Sequence, residues 1–108
     1  MSLFGQYIYE RQNKSILEDE FGFATYYFQN DCCYIEDIYV VKEKRKENIA
    51  SKYADKIAEE AKAKGMKYLV GSVKPSTNGS TVSLKVLLGY GFQLVAAQED
   101  FIWFKKEI

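Results

Sequence analysis

The residues of this chain best placed to do chemistry are the basic run Lys44, Arg45 and Lys46, followed at once by Asn48 and Ser51. Ahead of them Tyr34 to Val41 is rich in β-branched and aromatic residues and reads as a buried strand, which the charged run Lys42 to Lys46 must end. From Ile49 onward Ile49, Ala50, Tyr53, Ala54, Ile57, Ala58 and Ala61 recur at three- and four-residue steps, with Lys52, Asp55, Lys56, Glu59 and Glu60 on the other side. That spacing predicts an amphipathic helix, closed by Gly65. A loop leading from a strand into a helix directs free backbone N–H groups and the positive end of the helix dipole at one point, so it favours an anion such as a phosphate. The three basic side chains strengthen that field. The same strand-loop-helix unit also occurs in α/β proteins that hold no ligand there.

Other chemistries are excluded by composition. There is no histidine, which removes histidine-based triads and the commonest metal ligand. The two cysteines, Cys32 and Cys33, are adjacent, so a bridge between them would be strained and would staple nothing; they are expected to be free thiols in a reducing cytoplasm, and no metal site is expected. Net charge is zero, from 15 basic and 15 acidic residues, so nothing in the overall field suggests a nucleic acid or an anionic membrane as partner. No apolar run is long enough to span a bilayer, and Met1-Ser2-Leu3 opens no export signal. With 108 residues, 47% of them hydrophobic, the chain is expected to be one domain over residues 1–108.

The elements that must position the loop follow from periodicity. Gln6 to Gln12, with Tyr7, Ile8 and Tyr9, predicts a first strand, and Asn13-Lys14-Ser15 a turn after it. Ile16 and Leu17 start a second short strand unless the acidic run Glu18-Asp19-Glu20 places them at a turn or edge. Phe21 to Phe28 and Cys32 to Val41 pair as a hairpin about Gln29-Asn30-Asp31. Met66 to Val73 is a strand after Gly65, so the crossover makes it parallel to the strand ending at Val41. Lys74 to Ser80 is a loop, Thr81 to Tyr90 a second helix, and Phe92 to Ala97 and Phe101 to Lys106 two strands about Gln98-Glu99-Asp100. Trp103 with Phe101 or Phe104 is expected to pack the sheet.

Arg45-Lys46-Glu47-Asn48-Ile49-Ala50 resembles the pyrophosphate-binding signature Arg/Gln-x-x-Gly-x-Gly/Ala of the GNAT superfamily of N-acetyltransferases. Tyr34-Ile-Glu-Asp-Ile-Tyr-Val40 resembles the strand preceding it, most closely that of the spermidine/spermine acetyltransferase-like branch. Ser83 to Phe92, ending Gly91-Phe92, resembles the second-helix signature, and together the matches cover Phe21 to the C-terminus. Asn48 departs from the pattern, standing where the first glycine belongs; asparagine is the non-glycine residue that best tolerates left-handed geometry, but its side chain adds bulk.

The resemblance implies an α/β (α+β) GNAT-like fold, a mixed, mostly antiparallel sheet with two main helices. Only twenty residues precede Phe21, so most of the N-terminal helical part that forms one wall of the family's acceptor site is missing. It implies a cytoplasmic, acetyl-CoA-dependent transfer of an acetyl group to an amine acceptor. Tyr39, Val40 and Val41 would lie along the pantetheine arm and thioester, and Arg45, Lys46, Glu47, Asn48, Ile49, Ala50 and Ser51 around the pyrophosphate. Asn78 and Ser80 stand where the family often touches the cofactor with an asparagine, although turn chemistry explains Asn78-Gly79 equally well. Glu36 matches the glutamate of the branch's Tyr-Leu-Glu-Asp strand and is the expected base, with a solvated or ion-paired carboxylate as the alternative. Asp37 alternates with it, so only one of the two should face a given cleft. The family's leaving-group tyrosine falls on Leu87, and Tyr90, one turn on, is the replacement acid unless it is a core aromatic. Asn48, Leu87 and the short N-terminus leave a second reading, a weak or inactive relative serving as a CoA-binding or interaction module. The missing wall and the aromatic hairpin Phe21 to Phe28 favour a homodimer.

Overall fold

The computed structural model describes residues 2–74, 76 and 80–108. It opens with a helix, α1 (Leu3–Gln12), where the aromatic and β-branched run Tyr7, Ile8 and Tyr9 predicts a strand over Gln6 to Gln12. Local capping explains the difference. Ser2 Oγ accepts the Gly5 N–H at 3.0 Å, and Asn13 closes the helix in the left-handed region at φ 55°, its N–H reaching Tyr9 O. The run of strand-favouring residues is only three long, and only Gly5 and Ile8, one helical turn apart, are buried. The short N-terminus thus supplies one helix, packed on the first strand.

Six strands form one sheet: β1 (Ser15–Glu18), β2 (Gly22–Gln29), β3 (Cys32–Val40), β4 (Tyr68–Val73), β5 (Gln93–Gln98) and β6 (Phe101–Glu107), in the order β1-β2-β3-β4-β6-β5. Every pairing is antiparallel except β3 with β4. The crossover between those two carries a short 3₁₀ turn, Lys42–Lys44, and α2 (Ile49–Ala63). α3 (Ser80–Tyr90) links β4 to β5. Ile16 and Leu17 do form the edge strand β1, and the acidic run makes the turn after it: Asp19 Oδ1 accepts the N–H groups of Phe21 at 2.8 Å and Gly22 at 3.2 Å.

The core lies on one face of this sheet. Ala24, Tyr26, Cys33, Leu69, Val73 and Phe104 meet Ile49, Tyr53, Ile57 and Ala61 of α2 there, and Leu87 of α3 packs against the same cluster. The periodicity of α2 is therefore the periodicity of its contact with the sheet. Both cysteines are free and buried, and burial, then the Glu60 carboxylate, pushes the Cys33 thiol up to about 12, so it is a packing residue.

Two irregularities shape the opposite face. Pairing of β3 with β4 runs from Cys32↔Tyr68 to Ile35↔Gly71 and stops, although β3 continues to Val40 and β4 to Val73. The two parallel strands part at that point. The second irregularity is a bulge in β3: Tyr26 faces Ile35 and Thr25 faces Asp37, which leaves Glu36 as the extra residue.

Candidate functional site

The loop after β3 is built as its sequence suggests. Arg45 Nε donates to Val40 O at 2.9 Å and its guanidinium lies 5.7 Å from the centre of the Tyr39 ring, which itself stacks on Phe23 at 5.7 Å. These contacts hold Arg45 beside the end of β3. Lys44 sits 5.3 Å over the Phe21 ring and pairs with Glu47 at 3.5 Å, while Lys46 is exposed. Asn48 is the N-cap of α2 and adopts φ 59°, ψ 27°, the left-handed conformation. Its side chain caps nothing, and the first helical bond is Lys52 N–H to Asn48 O at 3.2 Å. The N–H groups of Ile49, Ala50 and Ser51 precede that bond and are left free at the helix end. Free donors, the positive end of the helix dipole and three nearby basic residues in sequence are the chemistry that a pyrophosphate requires. Val40 is buried, and the Val41 N–H already donates to Phe21 O at 2.7 Å, so that amide is engaged within the sheet.

The parting of β3 and β4 opens a cleft of about 280 Å³ on the face away from α2 and α3, lined among others by Tyr27, Tyr34, Glu36, Asp37, Ser72 and Trp103. Strict alternation predicts one carboxylate per face, yet Glu36 and Asp37 both line this cleft. The bulge is the reason, because its extra residue breaks the alternation between Ile35 and Asp37. Glu36 accepts from Lys14 Nζ at 2.9 Å, and Asp37 from Thr25 Oγ1 at 3.4 Å. The rings of Tyr27 and Tyr34 stack at 5.0 Å and floor the cleft. A larger hollow of about 320 Å³ beside α2 is bordered by Asp19, Tyr53 and Lys56, but its Asp19 is already taken up by two backbone donors and the Tyr53 hydroxyl.

The structure separates the two residues put forward for proton transfer. Glu36 stands in the cleft, whereas Tyr90, at the end of α3, belongs to the helix-bearing face and donates to Asp55 Oδ1 at 2.5 Å. Burial, reinforced by that carboxylate, raises the Tyr90 phenol above its ordinary range, so passing its proton to a thiolate runs uphill. Leu87 packs on Gly71, where a β-carbon would come within 3.1 Å of its Cδ2. Asn78 and the side chain of Ser80 lie outside the described residues.

Sequence reasoning missed Lys14, Tyr27, Tyr34 and Trp103 as neighbours of Glu36. Lys14 sat in an expected turn, and the tyrosines were indistinguishable from core aromatics. Trp103 does pack the sheet, stacked on Phe101 at 6.2 Å, but on the cleft side, while Phe104 fills the core. The only signal available was the alternation of Tyr27 and Tyr34 about the hairpin turn, which places them opposite each other.

Solved acetyltransferases share this architecture. The PaiA N-acetyltransferase of Thermoplasma acidophilum, in complex with coenzyme A, superposes with a TM-score of 0.79 at 15% identity over 98% of this chain and 69% of that one. A Bacillus subtilis acetyltransferase in complex with CoA gives 0.73 at 16% over 95% and 83%. A ribosomal-protein-alanine N-acetyltransferase from Brucella melitensis gives 0.70 at 17% over 95% and 75%. Similarity at these identities is similarity of fold. No curated protein matches the sequence significantly. The family model described as "Acetyltransferase (GNAT) family" matches residues 10–90, which include β3, the Asn48 turn, α2 and α3, and the chain belongs to that family.

Proposed function

We propose that the protein is an acetyl-CoA-dependent N-acetyltransferase acting on an amine, with the pyrophosphate at the turn Arg45 to Ser51 and the acceptor in the cleft of Glu36. Acetyl-CoA supplies an activated acetyl thioester. The chain supplies the rest: Arg45 and Lys46 neutralise the phosphates, the first-turn N–H groups of α2 orient them, and the β4-facing edge of β3 from Glu36 to Val40, which β4 does not pair, leaves backbone groups for the pantetheine arm. Glu36 accepts the amine proton, and Asp37 beside it adds negative charge that draws in a cation. The observation that carries this reading is Asn48 at φ 59°, because it keeps the backbone of the family's glycine turn without the glycine.

Titration of acetyl-CoA into the purified protein tests it, with release of thiol in the presence of alkylamines as the second measurement. Saturable binding that weakens in Arg45→Ala is expected. Absence of binding at millimolar acetyl-CoA overturns the proposal.

A second reading, a CoA-binding member with little turnover, is favoured by one feature: Leu87 packed on Gly71 where the family's proton donor belongs. Binding without thiol release would select it.

A further inference from the structure

We infer that Lys14 is an acetyl acceptor, so that the protein acetylates itself at this residue and thereby frees Glu36 for an external amine. The inference rests on the function proposed above, and three observations carry it. Lys14 Nζ lies 2.9 Å from Glu36 Oε2, the carboxylate at the cleft. Glu36 is the first residue of β3 beyond the last β3–β4 pair, at the mouth of the split. Side-chain exposures of 29% for Lys14 and 34% for Glu36 leave both accessible while shielding most of each from bulk solvent.

An alkylammonium held against Glu36 is what an acceptor must present there. Lys14 follows the cap of α1 and precedes β1, so its backbone is held on both sides, and its side chain crosses to β3 past Tyr27. The tether replaces the translational entropy that a free amine must lose. The reaction balances without a further reagent: the Lys14 ammonium gives one proton to Glu36 and on to water, the neutral nitrogen attacks the thioester carbonyl, the C–N bond forms, the nitrogen sheds its second proton by the same route, and the C–S bond breaks to leave the amide. CoA leaves as the thiolate and takes a proton from solvent. The product amide is neutral, so it no longer pairs with Glu36, and that carboxylate becomes available to a second amine.

The test is to incubate the purified protein with acetyl-CoA and no amine, then measure intact mass and map the peptides. A gain of one acetyl group at Lys14 is expected. It is lost in Lys14→Arg, which preserves the ion pair, and slowed by about 100-fold or more in Glu36→Gln. A second measurement needs no acetyl-CoA: Trp103 is the chain's one tryptophan and lines the cleft, so its fluorescence reports butylammonium binding. Lys14→Gln, a neutral amide at the same place, should bind butylammonium at least tenfold more tightly than wild type. Label spread over exposed lysines such as Lys52 and Lys62, or equal butylammonium affinity in the two proteins, overturns the inference. If acetyl-CoA binds and free amines are acetylated while Lys14 stays unmodified, the inference falls and the proposed function stands; if acetyl-CoA does not bind, both fall.

Discussion

Tyr53 is 2% exposed, and its hydroxyl donates to Asp19 Oδ1 at 2.5 Å, tying α2 to the turn before β2. The bond moves both partners. Tyr53, with the Phe21 and Gly22 N–H groups, holds the Asp19 carboxyl below 3.8, and burial, then Asp19, pushes the Tyr53 phenol up to about 12. A phenol raised in the folded state contributes stability that is complete below its unfolded value near 10 and disappears as pH rises to 12. The depressed carboxyl acts in the opposite direction, its share vanishing as pH falls below 3.8. Urea unfolding should show Tyr53→Phe less stable by about 1–2 kcal/mol at neutral pH, with a flatter decline between pH 10 and 12 than wild type. Identical alkaline slopes would mean that the hydroxyl is not paired in solution. Leu87 bears on rate instead. Leu87→Tyr puts a phenol at the position of the family's leaving-group tyrosine and should raise thiol release by about tenfold or more by protonating the leaving thiolate. Tyr90→Phe should leave that rate nearly unchanged, since its proton is held by Asp55.

The turn Arg45 to Ser51 depends on one backbone conformation and one arginine. Asparagine in the left-handed region carries a residual steric cost that glycine does not, and its side chain adds bulk to the turn. Calorimetry should therefore find acetyl-CoA bound more tightly by Asn48→Gly and about tenfold more weakly by Arg45→Ala, which loses a charge-assisted hydrogen bond to phosphate. A β-branched residue resists that conformation, so Asn48→Val should cost about 1–2 kcal/mol of stability even without ligand. Equal affinity among wild type, Asn48→Gly and Arg45→Ala would remove the loop as the phosphate site.

On the function proposed above, the two sites lie on opposite sides of one sheet and meet at the split between β3 and β4. Helix α2 belongs to the packed face and the carboxylate cleft to the other; on the proposed function, the parting of β3 and β4 beyond Ile35↔Gly71 is where a ligand would pass between them. A ligand spanning that passage touches both strands and α2, so it should stabilise the fold as a unit. At 100 times its dissociation constant acetyl-CoA should add about 2.7 kcal/mol, several degrees of melting temperature for a domain of this size. No shift in thermal unfolding at millimolar acetyl-CoA would show that the two strands do not bind it.

Sequence alone determined the parts of this protein that rest on local rules. The amphipathic period of α2, the hairpin about Asn30, the parallel crossover to β4 and the left-handed tolerance of Asn48 are all properties of neighbouring residues, and the structure has each of them. Tertiary structure decided what depends on register and facing. The bulge at Glu36 turned two consecutive carboxylates to one side, and no pattern within β3 announces it, because a bulge is a mismatch with the partner strand. Lys14 reached Glu36 across 22 positions of sequence, and Tyr90 found Asp55 across 35, pairings that local spacing cannot encode. At the N-terminus three consecutive strand-favouring residues predicted a strand and two caps made a helix: a short apolar run is compatible with both structures, and the hydrogen bonds at its ends determine which one forms.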